Sequence, residues 1–189
     1  MAETTTRPLA PAPLRLVQEF VNSLDVETGQ DLLLDRAGLT AWLGEHDLPG
    51  TGLDDADATA ARELREALRA LLRANAGGEH DPDAAARVND VAARAPLRLE
   101  LAADGAARLI GATGAGDNGV APALGRILGA AYAAMADGSW PRLKACLDPE
   151  CEWAFYDRSR NRSGHWCDMA VCGSRHKVRA YRARRHTAG

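Results

Sequence analysis

Cys146, Cys151, Cys167 and Cys172 are the only cysteines of the chain, and they fall within 27 residues as Cys-x4-Cys-x15-Cys-x4-Cys. Two close thiolate pairs, separated by a spacer long enough to turn back on itself, are the donor set of a tetrahedral structural zinc site. Disulfides and redox or catalytic thiols are the alternatives for such a set. The x4 gaps exceed the usual x2 knuckle, but a segment of roughly 45 residues does not easily build a stable core without a metal or disulfides. Trp140, Trp153 and Trp166 lie in the same stretch and predict an apolar shell around the ion. A complete set of four thiolates leaves no vacancy for His165 or His176, which read as surface residues. Four thiolates on a dication keep a net negative charge, and Arg175 and Lys177 are close enough in sequence to offset it.

The elements that must position these sulfurs follow from the spacing around them. Glu152 to Tyr156 alternates, with Trp153 and Phe155 on one face. Asp157 to Ser163 forms a polar tip, and His165 to Cys167 supplies the expected return strand. After Cys172 the run from Gly173 to Arg185 is helix-like, with Val178 and Tyr181 on one face. A knuckle, a hairpin and a helix after the last ligand predict a treble-clef-like finger over residues 140–185.

Charge separates this segment from the rest. Residues 1–141 carry 12 basic and 21 acidic side chains, whereas residues 142–189 carry 11 and 5, so the overall −3 joins an acidic part to a basic one. From Cys172 to the last residue there are six Lys or Arg and no acid. Arg175, Arg179 and Arg182 share a helical face, Lys177, Arg184 and Arg185 extend the charge, and the tip adds Arg158, Arg160 and Arg162. Together they predict a cationic surface suited to nucleic-acid phosphates. Docking onto an acidic protein surface, including the first part of this chain, is the other reading.

Upstream the sequence is rich in alanine and leucine, which favours helix. Residues 1–13 read as a disordered arm. Helical periodicity appears at Leu14, Val17, Phe20, Val21 and Leu24, and again at Leu39, Trp42 and Leu43. The strongest helix runs from about Asp57 to Asn75, with Leu64, Leu68, Leu71 and Leu72 as its buried stripe and acidic residues in its first turn. Asp81–Pro82 opens another to about Ala95, with Val88, Val91 and Ala92 inward. Leu97, Leu99 and Leu101 alternate with polar residues before Asp104–Gly105, a hairpin signature continuing to Leu109 and Ile110. Pro122 to Met135 forms a last, small-residue helix. The fold class is therefore α+β: a mainly helical domain over residues 14–136 with a small hairpin, followed by the finger.

At this point the residues match a family. Leu143–Lys144–Ala145–Cys146, Pro149–Glu150–Cys151, Glu152 to Asn161, Trp166–Cys167–Asp168–Met169 and Cys172–Gly173–Ser174–Arg175 resemble the bacterial CGNR zinc finger. Phe20–Val21–Asn22–Ser23–Leu24–Asp25, a Leu-Leu pair and Trp42–Leu43 resemble the ABATE domain that usually precedes it. The resemblance implies a stress-linked transcription regulator with a nucleic-acid-binding finger. Ser174 stands where the motif has Asn; serine can still cap a helix.

The Gly111–Gly119 region misses G-x-G-x-x-G and has no βαβ context, so it reads as a loop. No Ser-His-Asp set or open metal site assembles, and enzyme activity is not expected. No apolar window is long enough to cross a membrane, and no secretory signal pattern is present, so a cytoplasmic protein is expected. Asn22, Asp25, Trp42, Arg62, Arg65 and Asn89 lie near apolar faces and are the candidates for a small-molecule effector pocket, against the plainer reading of caps and buried hydrogen bonds. DNA is the leading partner. RNA is an alternative through Trp153, Phe155 and Tyr156, a protein-interaction module is another, and the helical domain is expected to dimerise or sense a signal.

Overall fold

The computed structural model describes residues 9–95, 97–105, 107–111 and 118–187. Helix α1 (Leu14–Val21) turns Leu14, Val17, Phe20 and Val21 inward. It leads into a two-residue ladder, β1 (Leu24–Asp25) against β2 (Gln30–Asp31). Gly29, at φ 73°, supplies the left-handed residue of that turn, and Asp25 accepts the N–H groups of Glu27 and Thr28 inside it. Helix α2 (Arg36–Glu45) starts at an Asp35 cap and buries Leu39, Trp42 and Leu43.

The long helix α3 (Asp55–Asn75) begins with a reciprocal capping box between Asp54 and Asp57, which satisfies two otherwise orphaned N–H groups. Asp57 also accepts the N–H of Val120 at 3.0 Å and so ties the start of α5 (Ala121–Ala136) to the start of α3. Leu64, Leu68 and Leu72 form the buried stripe of α3, each contributing about 2 kcal/mol by removal from water. Helix α4 (Pro82–Arg94) is capped by Asp81 and buries Ala84 and Val91. Ala92, expected to face inward, is exposed, because the contact stripe of α4 runs through Ala84 and Val91, seven residues apart on one side.

Strands β3 (Leu97–Leu101) and β4 (Ala107–Gly111) form the expected hairpin, with Leu99 opposite Leu109. Helix α5 is buried on most sides and packs against α1, α4 and β4. Its Gly129 lies where a Cβ would come 2.9 Å from the Leu109 carbonyl oxygen, so a larger residue there would push helix and strand apart.

The finger hairpin differs from the expectation. Strand β6 (Ala154–Tyr156) pairs with β5 (Leu143–Ala145), in the register Leu143↔Tyr156 and Ala145↔Ala154. The expected return strand at His165–Cys167 is loop, joined to the hairpin by Leu147 N–H donating to the His165 carbonyl. The reason is the first cysteine gap. Its residues form the connection of the β5–β6 hairpin, so β6 already has its antiparallel neighbour upstream. A wide five-residue turn (Met169–Gly173) then leads into α6 (Ser174–Thr187).

One apolar core runs through both parts, from Leu14 and Phe20 to Trp140, Leu143, Ala145 and Ala154. Polar clamps reinforce it. Asn22 donates to the Ala154 carbonyl at 2.9 Å and accepts its N–H at 2.7 Å, as a strand would. Arg69 donates to the carbonyls of Glu152 and Val21, and Asn75 to those of Trp140 and Leu143. Of the expected arm, residues 1–8 lie outside the described residues, whereas Ala10 is buried and donates to Gln18 at 2.6 Å. The Gly114 and Gly116 positions also lie outside them. Among the described residues no helix is long and apolar enough to cross a membrane.

Candidate metal centre

The four sulfurs come from three elements. Cys146 and Cys151 bracket the β5–β6 turn, Cys167 ends the loop after β6, and Cys172 sits in the wide turn before α6. The turn is shaped by its own backbone: the Asp148 carbonyl accepts the N–H groups of Cys151 and Glu152, and Cys146 N–H donates to Trp153. Asp168 caps the approach to α6, its carboxylate accepting from Ala170 and Val171 N–H and its carbonyl from Cys172 and Gly173 N–H. Ser174, in the position of the motif's Asn, has helical backbone and is the first residue of α6.

All four cysteines are buried and unbridged. Their sulfurs lie within 4.8 Å of one another, with Cys151 Sγ 3.5 Å from Cys167 Sγ and Cys167 Sγ 3.8 Å from Cys172 Sγ. Sulfurs at the corners of a tetrahedron with zinc–sulfur bonds of about 2.3 Å are about 3.8 Å apart, so the set fits a zinc ion held by Cys146, Cys151, Cys167 and Cys172. Protonation argues the same way. Hydrogen bonding from Cys151, Cys167 and the backbone N–H groups of Cys167 and Asp148 pulls the Cys146 thiol down to about 2. Contact with that thiolate pushes Cys167 up, and burial does the same to Cys172. Four thiolates share this space only around a cation.

Phe155, Trp153 and Trp166 pack on the cysteines. Trp140, expected beside them, belongs to the main core instead, because it precedes β5 and faces α3 and α5. His176 stacks on Trp166 with ring centres 4.8 Å apart, and His165 Nδ1 meets the Ala76 carbonyl.

Two buried charged groups that sequence reasoning did not single out hold the finger in shape. Lys144 Nζ donates to Asp157 at 2.9 Å and to the carbonyls of Arg162 and Gly164. Burial alone would raise the Asp157 carboxyl, but Lys144 and the N–H groups of Ser159 and Gly164 hold it well below the usual range. Asp148 is fully buried and accepts from Arg179 at 2.6 Å, while Arg175 approaches it at 3.6 Å and also pairs with Glu27. The sequence signals were present: a lone lysine within a buried run, and an aspartate inside the cysteine gap.

The predicted cationic residues divide accordingly. Arg175 and Arg179 are engaged by Glu27, Asp148 and Glu150, so they serve α6 itself. Arg158, Arg160 and Arg162 are exposed on the loop after β6, and Lys177, Arg182, Arg184 and Arg185 are exposed on α6. Of the six pocket candidates, Trp42 borders an open cleft with Asp31, Asp35 and Glu45. Asn22 and Asp25 are the clamp and turn cap already described, and Trp42 packs on Phe20 and His46. Arg62 donates to Leu33 and Leu34 carbonyls. Arg65 is buried against Asp31, at 2.6 Å, and Asn89 is exposed. Each side chain is consumed by a local hydrogen bond, ion pair or packing contact, or faces water.

A hairpin whose turn carries two metal ligands, a loop bringing the third and a helix following the fourth define a treble-clef-like zinc finger on an α+β protein. Two family models match the chain: ABATE, described as "Putative stress-induced transcription regulator", over residues 14–138, and the CGNR zinc finger over residues 142–185. A comparison with curated proteins gives no match. The chain belongs to the ABATE family and ends in a CGNR zinc finger.

Proposed function

We propose that this protein is a transcription regulator, not an enzyme, that binds duplex DNA through α6 and the loop after β6, with a structural zinc ion fixing both. The observation carrying this reading is the division of labour among the cations. Arg175 and Arg179 lock the first half of α6 onto buried or opposing carboxylates, and Lys177, Arg182, Arg184 and Arg185 project from a helix so anchored. Fixed cations neutralise phosphates at a lower entropic cost than mobile ones. The aromatics favour DNA over RNA: Phe155 is buried at the cysteines, and Trp153 and Tyr156 are half-buried against the cysteines and the main core, which leaves reduced ring surface for base stacking. The helical domain, on this reading, dimerises or senses a signal.

A second reading has its own support. Met169, Val171, Val178 and Tyr181 are exposed apolar residues among the cations, a pattern that also fits an acidic amphipathic protein partner.

Fluorescence anisotropy with genomic DNA fragments across a salt series separates them. DNA binding should weaken with a log–log slope of about −4 to −6, corresponding to about five or six phosphates. Arg182→Gln with Arg185→Gln should weaken binding on all sequences and reduce the slope by about 2. Affinity independent of ionic strength, or unchanged in the double variant, would leave the protein-partner reading in its place.

A further inference from the structure

Among the described residues the β3–β4 ladder is bonded to no other strand. Helix α5 packs across β4, where Gly129 meets the Leu109 carbonyl, and β3 overhangs. Leu97, Leu99 and Leu101 share one face of β3 and are 36%, 60% and 69% exposed. Leu99 borders an open groove of about 810 Å³, shared with Leu16, Leu109, Tyr132, Ala133 and Ala136. An open strand edge carrying an apolar face is a pairing surface that soluble proteins normally blunt or cover.

The residues of β3 specify what covers it. The strand reads Leu97–Arg98–Leu99–Glu100–Leu101, which complements itself when reversed. We propose that the chain forms a two-fold symmetric dimer in which β3 pairs antiparallel with β3 of a second copy, centred on Leu99. Arg98 then lies opposite Glu100 of the partner subunit, and Glu100 opposite Arg98 of the partner subunit, on one face. On the other face Leu99 meets Leu99 of the partner subunit, and Leu97 meets Leu101 of the partner subunit. Two hairpins become one four-stranded sheet, and its six leucines line a single trough between the two α5 helices.

Charge selects this register. A two-residue slip one way sets Arg98 against Arg98 of the partner subunit, and the other way Glu100 against Glu100 of the partner subunit. A one-residue slip sets leucine against charge. Any contact Glu100 makes within its own chain is compatible with the pairing, since a carboxylate accepts from several donors.

The test uses zinc-loaded full-length protein without DNA, so its failure leaves the DNA-binding reading standing. Sedimentation equilibrium should give twice the 20.1 kDa chain mass. Arg98→Glu and Glu100→Arg should each be monomeric alone, since each opposes like charges, and should form a heterodimer when mixed in equal amounts. Circular dichroism unchanged from the parent shows that each variant is folded. Leu99→Cys should cross-link readily, since directly opposed Cα atoms lie about 4.5–5.5 Å apart, within disulfide reach. Leu101→Cys should not cross-link, since it faces Leu97 of the partner subunit. A monomeric parent, a dimer that survives both single charge reversals, or equal cross-linking at 99 and 101 would overturn the proposal.

Discussion

Replacing Asp157 with alanine removes the carboxylate that faces the Lys144 ammonium, in a pair whose side chains are 4% and 3% exposed. Stripping one partner from a buried ion pair leaves a desolvated charge and costs about 3–5 kcal/mol. Here Lys144 keeps two carbonyl acceptors, on Arg162 and Gly164, which places the loss near the lower end, about 3 kcal/mol. For a chain of this length that is a fall of about 6–12 °C in Tm. The segment released, residues 157–164, leads directly to Cys167, so zinc should also pass to a chromophoric chelator faster than from the parent. Thermal unfolding by circular dichroism and stopped-flow zinc release measure the two effects. Lys144→Met combined with Asp157→Ala should lose less than Asp157→Ala alone, because no charge is left unpaired. The pH dependence has a definite sign. The folded carboxyl of Asp157 lies below its ordinary value, so the pair contributes fully above about pH 4 and is lost as pH falls through the lowered folded value. The Asp157→Ala variant should therefore show a shallower loss of stability below about pH 4 than the parent. A fall in Tm of only about 1–2 °C, the effect of an ordinary surface substitution of about 0.5 kcal/mol, would refute this account of the pair.

Stripping zinc with a chelator should disorder the environment of Trp153 and Trp166, read as loss of their near-ultraviolet dichroism. The signal should return with zinc and not with magnesium, because four soft thiolates do not suit a hard cation. Asn22→Ala should lower stability by about 1–3 kcal/mol, measured from the denaturant midpoint, because it leaves the N–H of Ala154 without its acceptor, while the Ala154 carbonyl keeps Gln18.

The helices and the metal ligands were legible because their signals are local. Leu64, Leu68 and Leu72 repeat at the helical period, Asp54 and Asp81 cap the helices that follow them, and the cysteine spacing is a property of a short segment. What escaped depends on contacts between distant residues. Trp140 is eleven residues from Cys151 in the chain yet faces α3 and α5, since the chain turns into β5 directly after it. Asn22 resembled a pocket residue because a polar side chain beside an apolar face looks the same whether it binds a ligand or a strand 132 residues away. The alternation of Leu97, Leu99 and Leu101 gave the hairpin correctly, but which side of a strand is covered is set by where α5 lies.

The clamps explain why a finger of this size sits so firmly. Ala154 is gripped from one side by Gln18 of α1 and Asn22 just after it and from the other by β5, within three residues of Cys151. The sulfurs of Cys146 and Cys151 can approach a metal only when β5 and β6 are in register, and that same register puts the Ala154 backbone at Asn22. Metal binding and docking onto the helical domain thus select one hairpin geometry, and each raises the occupancy of the other. Helix α6 starts two residues beyond Cys172, and Glu27 and Asp148 hold it through Arg175 and Arg179. The cations past Arg179 consequently project from a base that four sulfurs, one buried carboxylate and a turn of the first domain fix together. Losing any of these frees the helix before it unfolds the helical core, so cation geometry should be more sensitive to metal loss than helix content.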